Sequence, residues 1–159
     1  AQTLPKGALS MDPTARFNLF GLLLMAAILV PNILFARRHP EAFTAPPQNK
    51  LLETLEQIGR FSCFGFMVIN LPGAVWGFWF PCSREVYFTY GIALTALYCL
   101  IWALCFEKAT LFRALALSFL PSLLFLGSGV LLRSLPLILS ALLFAPCHIL
   151  ISVRSATGK

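Results

Sequence analysis

The sequence predicts an all-α, polytopic membrane protein: a bundle of five transmembrane helices with one short cytoplasmic amphipathic helix. Five apolar runs that contain no Asp, Glu, Lys or Arg fill most of the 159 residues. Each run would form a helix of about 28–32 Å, close to the roughly 30 Å thickness of the hydrocarbon core of a bilayer. Hydrophobic residues make up 58% of the chain and charged residues only 11%. A water-soluble domain of this length would need more charge on its surface.

The predicted spans follow one another with little else between them. They cover residues 17–36, 61–80, 86–106, 114–132 and 135–153. With their links they form a single membrane domain, residues 11–159. Residues 1–10 precede Met11, a natural start, and are expected to be a vector-derived leader. The first run is followed by Arg37 and Arg38 without a small-residue cleavage site, which favours a retained helix over a signal peptide.

The links differ in length. Residues 81–85, 107–113 and 133–134 are short, so spans two to five are expected to be antiparallel neighbours. The link 37–60 is longer, and its prolines break any helix before Asn49. After it, an apolar helical face lies opposite a polar one; the apolar face holds Leu51, Leu52, Leu55 and Ile58, and the polar face holds Glu53, Glu56, Gln57 and Arg60. This pattern predicts an amphipathic helix that lies on the cytoplasmic surface or leads into the second span.

The basic residues indicate the orientation. With the N-terminus outside, the cytoplasmic segments would hold eight Lys and Arg residues and the outer segments four. The positive-inside rule therefore predicts a cell-membrane protein with its N-terminus outside and its C-terminus in the cytoplasm. Trp76, Trp79 and Tyr87 lie where an interfacial aromatic belt is expected. Because the basic residues lie between spans, the net charge of +6 is interpreted as an orientation signal, and no nucleic-acid partner is expected.

A few polar and small residues interrupt the apolar runs. Asn32 follows a proline, and Asn70 comes two residues before one. A proline frees a backbone carbonyl that a nearby amide can satisfy, so a structural use is one interpretation. The other is that the broken segments line a polar cavity. Gly73 and Gly77 form a GxxxG pattern, which predicts close packing of the second span against another helix.

Most polar groups that could bind a ligand are predicted at the cytoplasmic ends of the helices. The candidate binding residues are Asn32, Glu56, Arg60, Asn70, Glu107 and His148. His148 lies inside the last span, and its predicted partners are Glu107, Glu56 and Asn32. A structural alternative is that His148 only bonds a neighbouring helix. Likewise, Glu56 and Arg60, which are spaced i,i+4, would then only pair with each other.

The cysteines predict neither a disulfide framework nor a metal site. Cys63, Cys105 and Cys147 would lie at similar depth near His148, but CxxC and HxxxH spacings are absent. They are interpreted as core residues, and no metal or cofactor is expected. No HExxH, GxSxG or paired-carboxylate motif occurs, so no catalytic residue is assigned.

These observations favour a small integral membrane protein that binds or passes a small or lipidic molecule, or that is a subunit of a larger membrane complex. The absence of charge near the middle of every span argues against an ion-coupled carrier. The alternative is a membrane-embedded enzyme acting on a lipid or lipid-linked substrate at the cytoplasmic interface. In it, His148 would be the general acid or base and Arg60 would hold an anionic group. A structural protein without a ligand stays a third hypothesis. Expected partners are membrane lipids, a small-molecule or lipid ligand, and a second copy or another membrane subunit.

Overall fold

The chain folds into a bundle of helices. The computed structural model describes residues 16–43 and 49–158, so the predicted leader lies outside the described residues. The elements are α1 (Leu19–Arg38), a 3-10 turn (Pro40–Phe43), α2 (Lys50–Val68), α3 (Ser83–Cys105), α4 (Leu111–Leu131) and α5 (Leu135–Thr157). The described residues contain no strand, which confirms the all-α prediction.

Four of the five helices are long and apolar enough to cross a membrane. These are α1, α3, α4 and α5, and they coincide with the predicted first, third, fourth and fifth spans. Their outer faces expose large apolar side chains such as Leu23, Ile92 and Leu139, each more than half accessible, as expected of surfaces that face lipid. The helices therefore indicate a membrane protein.

The prediction of a fifth membrane-spanning helix over residues 61–80 is not confirmed. The helix in this region is α2, which begins at Lys50 and ends at Val68. It joins the predicted amphipathic helix to the first eight residues of the predicted span, so the amphipathic segment is a lead-in and not a separate surface helix. Because it carries Lys50, Glu53, Glu56 and Arg60, α2 is not apolar enough to be among the candidate spans.

Residues 69–82 form an apolar loop across one end of the bundle. The GxxxG interpretation is wrong, because Gly73 and Gly77 have φ angles of 81° and 79°, values that end a helix. The loop bonds to the turn between α4 and α5: Gly77 N–H donates to Leu132 O (3.2 Å), and Leu135 N–H donates to Ala74 O (3.1 Å). We call this end of the bundle the loop end and the opposite end the charged end.

The helices form a closed ring in the order α1, α3, α4, α5, α2. The predicted antiparallel contacts of α3 with α4 and of α4 with α5 are present, but the predicted contact of α2 with α3 is wrong. Within the described residues, α2 packs on α1 and α5, and its backbone does not approach α3. The physical reason is the loop 69–82, which is long enough to carry the chain across the loop end before α3 begins.

Candidate ligand site at the charged end

Three charged or titratable side chains meet at the interface of α2 and α5. Glu56 is only 3% exposed, and its Oε1 accepts hydrogen bonds from Arg60 Nε (3.0 Å), from Arg60 Nη2 and from His148 Nδ1 (2.9 Å). A carboxylate oxygen only accepts, so Nδ1 of His148 carries a proton and donates it to Glu56. In the neutral form of the ring, Nε2 is then an acceptor. We call Arg60, Glu56 and His148 the Glu56 triad.

Helix spacing and one glycine build the triad. Glu56 and Arg60 are four residues apart on α2 and therefore share a face. Between them, Gly59 lies against the backbone of Phe144 on α5, where an added Cβ would be 2.9 Å from Phe144 N and Cα. The Phe144 ring stacks on the His148 ring, with centroids 4.6 Å apart and planes 21° apart. Close approach of the helices at Gly59 therefore brings His148 to Glu56.

Asn32 and Tyr98 form a second polar pair, between α1 and α3. Asn32 Nδ2 donates to Ile28 O and to Tyr98 Oη, each at 2.8 Å, and Tyr98 Oη can donate to Asn32 Oδ1 at 3.1 Å. Pro31 leaves Ala27 O without its helical donor, and Cys99 Sγ lies 3.7 Å from that oxygen. The carbonyl that Pro31 frees therefore faces Cys99, whereas Asn32 bonds the carbonyl of Ile28 and the hydroxyl of Tyr98.

The pair and the triad lie at one level of the bundle. Measured along their helices from the loop end, Asn32, Glu56, Tyr98 and His148 are each about 18–22 Å away at 1.5 Å per residue. Arg60 is joined to this level through its hydrogen bonds to Glu56. The structure thus brings Asn32, Glu56, Arg60 and His148 into one polar layer.

The polar layer places charged side chains beside an apolar helix. The five apolar runs contain no charge, but α2 places Glu56 and Arg60 beside the apolar stretch of α5 that holds His148. Gly59, between Glu56 and Arg60, meets Phe144, which lies near the middle of α5. The absence of charge within the apolar runs therefore does not by itself argue against ion-linked binding, because α2 places two charges beside α5.

Asn70 lies apart from this layer. It is at the loop end, where its backbone N–H donates to Arg16 O (2.9 Å). Asn32 and His148 lie about 20 Å along their helices from the loop end, so the structure does not bring Asn70 together with them. Asn70 is instead part of the contact that joins the start of α1 to the end of α2.

Glu107 also lies outside the triad. Its Oε2 is 3.4 Å from His39 Nε2, and the His39 Nδ1 atom lies 3.1 Å from Glu41 Oε1. The pKa of Glu41 lies below its ordinary value because of a hydrogen bond to its own backbone and the neighbouring His39 ring. Glu107 is therefore a partner of His39 at the surface, and its predicted pairing with His148 is wrong.

Sequence reasoning missed two further groups at the charged end. Arg113 Nη1 donates to the carbonyls of Cys105 (3.2 Å) and Phe106 (2.8 Å), so it closes the end of α3, and its guanidinium lies over the Phe35 and Trp102 rings. Tyr98 was missed because an aromatic residue within an apolar run is typical of a core. The N-cap at Thr110 fixes the backbone N–H of Arg113 and gives no signal for the contacts of its guanidinium with α3.

The cysteines are all free thiols. Cys63 and Cys147 are buried, and Cys105 is half-buried. Within the described part of the chain, no group of three or more His, Cys, Asp or Glu side chains is arranged to hold a metal ion. A shallow depression of about 420 Å³ opens at the start of α3, lined by Cys82, Glu85, Val86, Thr89 and Tyr90, and it includes none of the candidate residues.

The fold and the polar layer define a class: a helical bundle with four candidate membrane spans and a buried ionic triad. No family model, curated protein or solved structure matches this chain. The Glu56 triad is therefore the feature of the molecule that points to a function.

Proposed function

We propose that this protein is a small integral membrane protein that binds an anionic small or lipidic molecule at the Glu56 triad. The observation that carries the proposal is a carboxylate, 3% exposed, held by Arg60 and His148 beside an apolar helix. Ionisable side chains at this depth are costly in a membrane and are usually functional. The side chains of Arg60 and His148 are 35% and 21% exposed, so a ligand can reach them from the surface of the bundle.

The free atoms of the triad suit an oxyanion. Arg60 Nη1 and His148 Nε2 have no hydrogen-bond partner among the described residues, since every bond of these two side chains goes to Glu56. A guanidinium is a strong donor to phosphate or carboxylate oxygens, and the His148 ring becomes one when Nε2 also carries a proton. The charged end also carries several further basic residues, whose field attracts anions: Arg37, Arg38, Lys50, Lys108, Arg113 and Arg154.

Binding is favoured over passage through the bundle. Apolar side chains that are almost fully buried lie on the helices between the Glu56 triad and the loop end, among them Met67, Leu124 and Phe125. A path for a polar solute would need to cross this core. We therefore propose that a ligand enters and leaves at the charged end.

The proposal predicts that Arg60→Gln weakens binding of a fluorescent phosphatidylglycerol by about 10- to 100-fold, the usual worth of a hydrogen bond to a charged group. Fluorescence anisotropy in lipid nanodiscs measures the affinity. The matched control is Arg84→Gln at the loop end, which should bind as the unaltered chain does. The double variant Glu56→Gln, Arg60→Gln keeps the net charge of the triad. It should still fold, and it should lose binding as Arg60→Gln does. Unchanged affinity in both Arg60 variants would overturn the proposal.

The membrane-embedded enzyme stays a second candidate, and one observation favours it. The Glu56 bond to Nδ1 holds the His148 ring in the orientation that leaves Nε2 to move a proton, as a general acid or base requires. In vesicles of defined phospholipids, the purified protein should then turn over a lipid, and His148→Gln should abolish turnover without loss of expression. Equal turnover by the two proteins would exclude this role. A role as a subunit of a larger complex stays a prediction.

We further propose that the loop end faces outside and the charged end faces the cytoplasm, as the distribution of basic residues predicts. Cys82 is the exposed cysteine at the loop end. In intact cells, a membrane-impermeant maleimide should therefore label the protein, and Cys82→Ser should remove most of the label. Labelling that appears only after the inner face is opened would reverse the orientation.

A further inference from the structure

We propose that the Glu56 triad takes up its anionic ligand together with one proton, which binds at His148 Nε2. This inference rests on the proposed function, because it concerns the same site and the same ligand class. It adds a condition for binding: the affinity for the ligand rises as the pH falls, because a proton is taken up with the ligand.

The net charge of the triad with and without ligand indicates that a proton is taken up. Without ligand, the positive charge of Arg60 and the negative charge of Glu56 cancel, and neutral His148 completes the hydrogen bonds of the carboxylate. A monoanionic ligand would leave the site with one net negative charge at the depth of the apolar spans, where an uncompensated charge is costly. A proton on Nε2 restores neutrality.

The same proton improves the contact with the ligand. Neutral His148 offers only an acceptor at Nε2, which an oxyanion cannot use. When Nε2 gains a proton from water at the charged end, it becomes a donor to a ligand oxygen. Nδ1–H keeps its bond to Glu56 throughout, so no other proton moves. Ligand and proton therefore favour each other's binding.

Among the residues that the structure describes, no other group near His148 is placed to take this proton. On α2 the charged groups that face it are Glu56 and Arg60, and a proton on Glu56 would weaken its three hydrogen bonds. On α4 the basic residue is Arg113, which is bound to the carbonyls at the end of α3. On α5 itself, Cys147 points about 100° away from His148, and Arg154 is already charged.

The ligand chemistry is a monoanionic oxyacid group, such as a phosphate diester, whether it belongs to a lipid or to a soluble molecule. The test uses fluorescent phosphatidylglycerol in phosphatidylcholine nanodiscs, with soluble glycerophosphoglycerol as a competitor. A phosphate diester keeps its charge between about pH 5 and pH 8, the range in which histidine titrates. Competition by the soluble headgroup would show that a free oxyanion suffices, and absence of competition would show that the lipid is required.

At pH values where the ligand-free site has not yet bound the proton, affinity should fall about tenfold for each unit by which the pH rises, as the uptake of one proton requires. His148→Gln should bind with an affinity that does not change with pH. The matched control, His39→Gln, should keep the pH dependence of the unaltered chain. Affinity that depends on Arg60 but not on pH would overturn the coupling and leave the proposed function standing. Affinity that depends on neither Arg60 nor pH would overturn both.

Discussion

Replacing Glu56 with glutamine is expected to destabilise the bundle by about 3 kcal/mol. The change leaves Arg60 without its counter-charge, and breaking a buried ion pair costs about 3–5 kcal/mol. The lower figure applies because the Arg60 side chain is 35% exposed and can turn partly towards water. Unfolding by sodium dodecyl sulfate in mixed micelles, followed by circular dichroism, measures the loss.

The matched control for Glu56→Gln is Glu53→Gln, about one turn earlier on α2. Glu53 has no ion pair among the described residues, so its change should alter stability by no more than about 0.5 kcal/mol. Adding Arg60→Gln to Glu56→Gln should recover much of the loss, since the unpaired charge is then removed. Equal losses for the variants at positions 53 and 56 would contradict the buried triad.

Replacing Gly59 with alanine is expected to cost about 2–3 kcal/mol. The new Cβ would lie 2.9 Å from backbone atoms of Phe144, so α2 and α5 would have to separate, and overpacking of this kind costs about 1–3 kcal/mol. The same separation would lengthen the bond from His148 to Glu56, so ligand affinity should fall as well. The micelle titration and the anisotropy measurement test the two effects.

Gly65, six residues later on α2, provides the matched control for Gly59. An added Cβ there meets nothing within 4 Å. Alanine also favours a helix over glycine by about 1 kcal/mol, so Gly65→Ala should leave stability unchanged or raise it. If Gly59→Ala were as stable as Gly65→Ala, the close contact of α2 with α5 would be wrong.

The four candidate spans could be predicted because length and composition decide them. The run 61–80 shows where that reasoning fails. An apolar run does not distinguish a helix from an apolar loop, and here the loop exists because Gly73 and Gly77 adopt positive φ and the segment bonds to the turn between α4 and α5. Those partners are about sixty residues away in the chain, so no local pattern reports them.

The candidate site was predictable where the contacts are local. The pairing of Glu56 with Arg60 follows from helix spacing, and Glu56 was one of three partners predicted for His148. The partners of Glu107 and Asn70 depend on the order of the helices in the ring. Because α2 lies between α1 and α5 and not beside α3, His148 meets Glu56, and Glu107 meets His39 instead.

The position of α2 also explains why the apolar runs alone did not predict charged side chains inside the bundle. This helix is too polar to be counted as a span. Gly59 nevertheless lets α2 pack closely against α5, and the carboxylate of Glu56 and the guanidinium of Arg60 therefore lie beside His148. A charge can therefore lie beside an apolar span without interrupting that span's sequence.

In the proposed site, His148 donates Nδ1–H to Glu56, and its Nε2 atom binds the proton that accompanies the ligand. Nitrogen NMR of the protein labelled at histidine tests it directly, because the chain has two histidines and His39→Gln leaves one. We expect the neutral ring to carry its proton on Nδ1, and Nε2 to gain a proton at higher pH in phosphatidylglycerol nanodiscs than in phosphatidylcholine. A neutral ring protonated on Nε2, unaffected by Glu56→Gln and by the lipid, would contradict the account.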